Sequence, residues 1–424
     1  MADEKKKLLG KLIKKHEGIL PLEPAWVCRS FLPAGYRLGL ATYTVEDPKR
    51  GEICERWLAS TTKADNAIGP EDEGFSYIKA DAVGEKNLLL KDAVMAAPEL
   101  IVGETYARKH KEIVKRGSLG RLAKIYDFAV RLPYHLHQMQ KDAAKLGRNS
   151  KEEAYYFPPG VPMLGDDSTF FGMRPELIRA GVHKQLLAQY LTEWQEGKIQ
   201  TYAQDWILHY SIEQKLHHEV GYLLPAGGLH APGSAVTIEL QEDSDVFAML
   251  QAVLSDGTQV PKEALWKDVH PDDRAKHGVN AVVEQVDWEL AADVKFAEKY
   301  RLVPTLRLEQ KDAGKEEWIY YGGDDPKFTG TKVTVNPGKT FVCEDKGAYS
   351  VFVWDGQGTF GGLPVEGTAN RVGDHTRDEF LVTHDRAIRP LEITNTGDRP
   401  LMLIKFFGPG INAKGLPRVK AFQK

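Results

Sequence analysis

Cysteine is scarce in this sequence. Three residues in 424, Cys28, Cys54 and Cys343, stand far apart with no Cys-x-x-Cys spacing, so they supply neither a disulfide framework nor a thiolate metal site. Each reads as a small buried apolar residue, and so few thiols suit a reducing compartment. Long apolar runs are absent as well: no stretch approaches the roughly 20 residues that a membrane helix needs. Charge of one sign is also lacking, because 56 Lys and Arg stand against 60 Asp and Glu for a formal net charge of -4. That balance leaves no basic surface for nucleic acid. The opening, Met1-Ala-Asp-Glu-Lys-Lys-Lys-Leu-Leu-Gly-Lys-Leu-Ile-Lys-Lys15, is basic but has no apolar core or small-residue cleavage site. It reads as a short surface helix rather than a leader or membrane anchor, and a cytoplasmic location is the expectation.

What is present is the composition of a soluble globular protein, 42% hydrophobic and 27% charged, long enough for two or three domains. Four segments are expected. Residues 1–17 are the basic opening, and residues 18–170 with 213–300 make a first β domain. Residues 171–212 interrupt that domain with a helical insertion, since Leu177, Ile178, Leu186, Leu187, Tyr190, Leu191 and Trp194 recur at three-to-four spacing, a period that continues to Lys215. Residues 301–424 make a second β domain, with strands over 331–335, 340–343, 349–354, 391–395 and 401–407 between Gly-rich turns. In the first domain, residues 26–32 and 36–43 flank a Pro-Ala-Gly turn and read as a hairpin. Helices are expected over 88–97 and 104–115, with Pro98 as a stop between them.

The chemistry lies in three separated stretches. Gly221-Tyr-Leu-Leu-Pro-Ala-Gly-Gly-Leu-His-Ala-Pro-Gly-Ser234 puts one imidazole, His230, just past a tight turn, and reads as a β-hairpin presenting that ring inward. In Leu132-Pro-Tyr-His-Leu-His137, His135 and His137 are two residues apart, so a strand points both to one face. Glu153 follows in Lys151-Glu-Glu-Ala-Tyr-Tyr-Phe157. Three imidazoles and one carboxylate gathered from three β segments suit one divalent metal in a barrel, and they leave open positions, as a catalytic site does. Residue chemistry alone leaves zinc, iron(II), manganese and nickel open. His217 and His218 are adjacent and expected on the surface. His375 finds no His-x-His partner in its half of the chain, which argues against a second metal. Asp243 and Asp245 read as caps of the turn at Ser244.

These motifs resemble the class I mannose-6-phosphate isomerases, zinc-dependent sugar isomerases built from cupin barrels with a helical insertion. Pro225-Ala-Gly-Gly-Leu-His-Ala231 followed by Glu239-Leu-Gln-Glu-Asp-Ser-Asp245 is similar to the family's metal turn and the strand after it. Lys151 and Glu153 match its Lys-x-Glu, Glu55-Arg-Trp57 its Glu-x-Trp, and His135 with His137 its Gln-x-His pair. The resemblance implies a mainly β fold, two cupin (double-stranded β-helix) barrels with an α-helical insertion. It also implies zinc as the metal and a sugar or sugar phosphate as the partner. Two positions depart from the pattern. His135 stands where the family has glutamine, and Met249 stands near the place of a substrate-facing arginine. Without that guanidinium a phosphate loses a fixed partner, so an unphosphorylated or differently substituted sugar is expected.

Aldose–ketose isomerisation moves a proton between C1 and C2 through an enediol and needs a base and a counter-charge for the oxyanion, the second being a metal's task. The resemblance gives the base to Glu239. Lys151, two residues before Glu153 and on the same strand face, is the candidate to orient an oxygen or share in proton transfer. Two alternatives remain open: an iron-dependent dioxygenase, since three His and one Glu also suit O₂ chemistry, and a sugar-binding cupin without turnover.

Overall fold

Short strands with apolar residues at alternate positions recur along the chain, and in a computed structural model of the protein those among the described residues assemble into four antiparallel sheets of nine, seven, five and four strands. The structure describes residues 2–40, 45, 47–80, 87–367 and 377–423. Two of the sheets face each other around the candidate site. The seven-stranded sheet runs in the order Arg301–Leu302, Gly221–Leu224, Glu153–Tyr156, Thr237–Gln241, Leu122–Tyr126, Ile53–Leu58, Ala25–Cys28. The five-stranded sheet runs Ile212–Lys215, Ser168–Phe171, His230–Ala231, His135–Leu136, Ala248–Met249.

Period-two alternation decides what each face of these sheets carries. In the seven-stranded sheet Ile238, Leu240, Ala123, Ile125 and Ala154 turn to one side and join an apolar cluster with Trp318, Tyr320 and Val333 of the second half. Each fully buried large apolar side chain there contributes about 1.5–3 kcal/mol. The intervening residues Lys124, Glu153, Tyr155 and Glu239 face the other way. In the five-stranded sheet Leu136, Ala231 and Ala248 join a cluster with Leu187, Tyr190, Leu191 and Trp194 of the helix His183–Gln195, leaving the imidazoles on the opposite side. That helix stops at Gly197, whose φ of 78° is the left-handed conformation a glycine C-terminus favours. Tyr190 further ties it down, donating to Asp205 and accepting from the Ala252 amide, both at 2.8 Å.

The nine-stranded sheet is built mainly from Thr305–Gln310, Gly314–Tyr320, Thr329–Val335, Leu401–Phe407, Tyr349–Asp355 and Glu379–Val382, and the four-stranded sheet from Thr340–Cys343, Leu391–Asn395, Gln357–Phe360 and Leu363–Glu366. Early strands complete the larger one: Ile19–Glu23 pairs with Glu379–Val382 and carries Tyr77–Ile78 and Leu88–Leu89 beyond it. The helix Ala2–Lys15 buries Leu9 and Leu12 in a cluster with Leu20, Leu90 and Val94. Arg56 joins the two halves through bonds of 2.6 and 2.7 Å to Asp378 and 2.9 Å to Glu379. No helix among the described residues is long and apolar enough to cross a membrane, and all three cysteines are buried.

Several local expectations change. Ala25–Cys28 pairs with Ile53–Leu58 rather than with residues 36–43, of which 41–43 lie outside the described residues. Gly221–Leu224 and His230–Ala231 belong to different sheets, so the turn between them is a corner, not a hairpin. Gly227, with φ of 86°, takes the chain around it. The helical period stops before Ile212–Lys215, which is a strand paired with Ser168–Phe171. The helix expected over 88–97 runs only over Leu90–Ala96 and stops before Pro98 as expected, but Pro98 opens a further helix, Pro98–Val102, where its missing N–H is harmless, and the helix expected over 104–115 divides into Glu104–Lys109 and Lys111–Lys115.

Candidate metal centre

His135 and His230 stand directly opposite each other in antiparallel register, which sends both side chains to the same face. His137 keeps that face by period two. Ring centres are 4.0 Å apart for His135 and His230, 4.9 Å for His135 and His137, and 5.1 Å for His137 and His230. Glu153 arrives from the facing sheet as the first residue of Glu153–Tyr156. One ligand atom from each of these four buried residues lies within 4.8 Å of the others, and no second cluster of this kind occurs among the described residues.

Each ring is fixed from behind. His135 Nδ1 lies 2.7 Å from the Pro133 carbonyl, His137 Nδ1 2.8 Å from that of Val246, and His230 Nδ1 3.0 Å from that of Gly228. A carbonyl only accepts, which assigns the proton to Nδ1 and leaves a lone pair on each Nε2. Burial, helped by the other imidazoles, holds His135 well below its ordinary value, and burial with Lys151 brings His137 down to about 4, so both rings are neutral. The inward Nε2 atoms of His137 and His230 sit 3.0 and 3.1 Å from Glu153 oxygens without hydrogen-bonding alignment. Both nitrogens and Glu153 Oε2 are buried with no hydrogen-bond partner. Neutral nitrogens with lone pairs aimed at one carboxylate, each ring oriented by a backbone carbonyl, fit a divalent cation.

Glu153 is also supported. The Tyr155 hydroxyl donates to its Oε1, and Lys151 Nζ lies 3.0 Å from Oε2. Burial alone would raise this carboxyl, but Lys151 and His137 hold it well below the usual range. Tyr155, Glu239, Lys124 and Trp57 occupy one register row across the seven-stranded sheet and so share the face. Glu239 lies 3.1 Å from Lys124 and 3.6 Å from Lys151. Burial and the nearby Glu153 charge nevertheless push its carboxyl up to about 7.

The cleft in front of these groups also brings in Arg29 and Lys124, which sequence reasoning missed. Arg29 lies 2.8 Å from Glu55 and 3.2 Å from Asp245, and Trp57 Nε1 donates to the other Glu55 oxygen at 2.7 Å. Asp245 is therefore a buried ion-pair partner, not a turn cap, while Asp243 pairs with Arg116 at 3.1 Å. Lys124 carried one available signal, a lone cation inside the apolar strand Leu122–Tyr126. Met249, facing the cleft beside His135, carried only the absence of the expected arginine. His217 and His218 are both exposed, and His375 lies outside the described residues.

The sequence matches no family model and no curated protein. Solved structures do resemble it. Mannose 6-phosphate isomerase from Bacillus subtilis is 15% identical, with a TM-score of 0.57 over 92% of this chain and 99% of that one. A mutant of phosphomannose isomerase from Salmonella typhimurium is 14% identical with a TM-score of 0.60, and a zinc-bound mannose 6-phosphate isomerase is 14% identical with a TM-score of 0.59, at the same coverage. At these identities the likeness is one of fold: the chain shares the mainly β, cupin-like architecture of the phosphomannose isomerases.

Proposed function

We propose that the protein is a metal-dependent aldose–ketose isomerase in which His135, His137, Glu153 and His230 hold one divalent metal, zinc being the ion bound in one of the similar structures. The observation that carries this reading is an open donor set beside a protonatable carboxylate. The Nε2 atoms of His137 and His230 converge on Glu153 without partners, and Glu239, on the adjacent strand, has a carboxyl that burial and the Glu153 charge push up toward neutrality. The metal would supply the positive charge that neutralises an oxyanion developing at the sugar.

Glu239, as the carboxylate, takes the proton from C2 of the aldose and returns it to C1 of the enediol. A carboxyl titrating near neutrality can both accept and give that proton. Lys151, between Glu153 and Glu239, orients the sugar oxygen and keeps Glu153 ionised. Neither a dioxygenase nor a sugar-binding protein needs a proton acceptor beside the donor set, which is the place Glu239 takes. The reading takes residues 18–170 and 213–300 as a metal-bearing cupin domain that lends Ile19–Glu23, Tyr77–Ile78 and Leu88–Leu89 to the sheet of the second half, 171–212 as its insertion, and 301–424 as a second barrel that lends Arg301–Leu302 to the first and has no metal ligands among the described residues.

The sugar is read as unphosphorylated. Arg29 is held by Glu55 and Asp245, Lys124 by Glu239, and Lys151 by Glu153, so each cation of the cleft is already engaged when a phosphate would need it. Proton NMR of the metal-loaded protein in D₂O tests the reaction. Deuterium should enter C2 of an aldose or C1 of its ketose, and Glu239→Gln should retain the metal while slowing exchange by about 10²–10⁴-fold. Metal-loaded protein that exchanges none of a panel of hexoses, pentoses and their phosphates would end the isomerase reading.

A further inference from the structure

The lining of the cleft divides into two parts. One holds His135, His137 and the ion-paired groups. The other is formed by Phe31, Leu32, Leu132, Phe247 and Met249, where the core cluster that holds the helix His183–Gln195 reaches the cleft, Phe31 and Leu132 packing at its edge. Register explains why two of them look inward. Met249 stands opposite His135 in the antiparallel pair, so the two side chains share a face, and Phe247, two residues earlier, shares it by the period of an extended chain. Lys267 lies 4.1 Å from the Phe247 ring centre, but it is already tied to Asp268 at 2.8 Å and Asp65 at 3.2 Å. None of the five apolar side chains offers a hydrogen-bond donor.

We propose that the site takes a 6-deoxy sugar, a neutral aldose or ketose whose terminal methyl group packs against Phe247 and Met249. The proposal rests on the sugar-isomerase reading for the other end of the molecule. A methyl group buries apolar surface against this wall, whereas a hydroxyl placed there gives up water and receives no donor in return. A phosphate dianion would meet only cations that carboxylates already hold. An apolar wall rejects an added hydroxyl only modestly, by the order of a hundredfold, so the discrimination expected is graded: deoxy sugar first, hydroxy sugar next, phosphate last.

The test reads turnover and binding together on the metal-loaded full chain. Deuterium exchange compares 6-deoxymannose, 6-deoxygalactose and 6-deoxyglucose with the parent hexoses and the hexose 6-phosphates. Calorimetry measures binding of the corresponding alditols, which have no carbonyl to isomerise. At least one deoxy sugar should exceed its hydroxylated parent by roughly tenfold to a hundredfold in kcat/KM, with the same order in alditol binding. Met249→Gln should bring that ratio close to one, while Met249→Leu should preserve it. Equal or better handling of the hydroxy or phosphate members overturns the proposal and leaves the isomerase reading standing. A deoxy preference among alditols with no exchange in any sugar supports the proposal and removes the isomerase reading. No preference in either assay overturns the proposal.

Discussion

Two buried polar clusters sit in the two halves of this molecule, and they differ in one respect. In the second half, Lys405, wholly buried, lies 3.1 Å from Glu316 and 3.0 Å from Asp345. Arg307 lies 2.7 Å from both carboxylates, Thr331 donates to Glu316 at 2.6 Å, and Asn412 to Asp345 at 2.9 Å. Two cations balance two anions, and none of these side chains has a buried polar atom without a partner. In the first half the imidazoles and Glu153 are equally buried, yet the inward Nε2 atoms of His137 and His230 and Oε2 of Glu153 find no aligned partner. Buried charge alone therefore does not mark a site. A closed set holds strands in register, and an open set calls for something to close it.

The largest effect that would sharpen this contrast is Lys405→Met. It leaves two buried carboxylates short of a cation and should lower unfolding stability by about 3–5 kcal/mol, read from urea midpoints; a loss below about 1 kcal/mol would mean that the cluster is not closed by this residue. Next comes metal addition. Divalent metal at a hundred times its Kd should stabilise the wild-type protein by about 2.7 kcal/mol, an increment that His137→Gln should lose and Lys405→Met should keep. Equal increments in wild type and His137→Gln would remove the distinction between the clusters. Tyr155→Phe takes away the hydroxyl that orients Glu153 and should weaken metal binding by about 10–100-fold, with little change in the metal-free unfolding midpoint; unchanged affinity would deny Tyr155 that role.

The smallest effect is a pH slope. Burial alone would raise the Asp345 carboxyl, but Lys405 and Arg307 hold it below its ordinary value. Its contribution is thus complete above the unfolded value of about 3.9 and is lost as pH falls through the lower folded value. The difference in urea midpoint between wild type and Asp345→Asn should be steady from about pH 5 upward and narrow on the acid side, where the wild type loses this contribution and the variant has none to lose. Identical acid limbs would contradict the assignment.

What could be read in advance follows from how local each signal is. The strands Thr340–Cys343, Leu391–Asn395 and Leu401–Phe407 match their expected bounds, because alternation and flanking turns are properties of adjacent residues. The grouping of His135 and His137 on one face follows in the same way. Which sheet a strand joins is not local. The Pro225–Gly228 turn has the chemistry of a hairpin, yet the segments it connects lie in different sheets, because their best partners, Glu153–Tyr156 and His135–Leu136, are far away in sequence. Arg29 meets Asp245 across 216 positions, and no spacing rule reaches that far. The apolar cleft wall escaped notice for the same reason: Phe31, Leu132 and Met249 are ordinary core residues until the fold turns them toward the imidazoles.

One metal ion should close the open cluster. Anomalous diffraction at the metal's absorption edge, on protein reconstituted with zinc, tests it most directly. One strong peak is expected about 2.0–2.2 Å from Nε2 of each imidazole and from a Glu153 oxygen, absent in His137→Gln. Reconstituted protein with no peak between the two sheets, and with Glu153 hydrogen-bonded by the imidazoles instead, would contradict it.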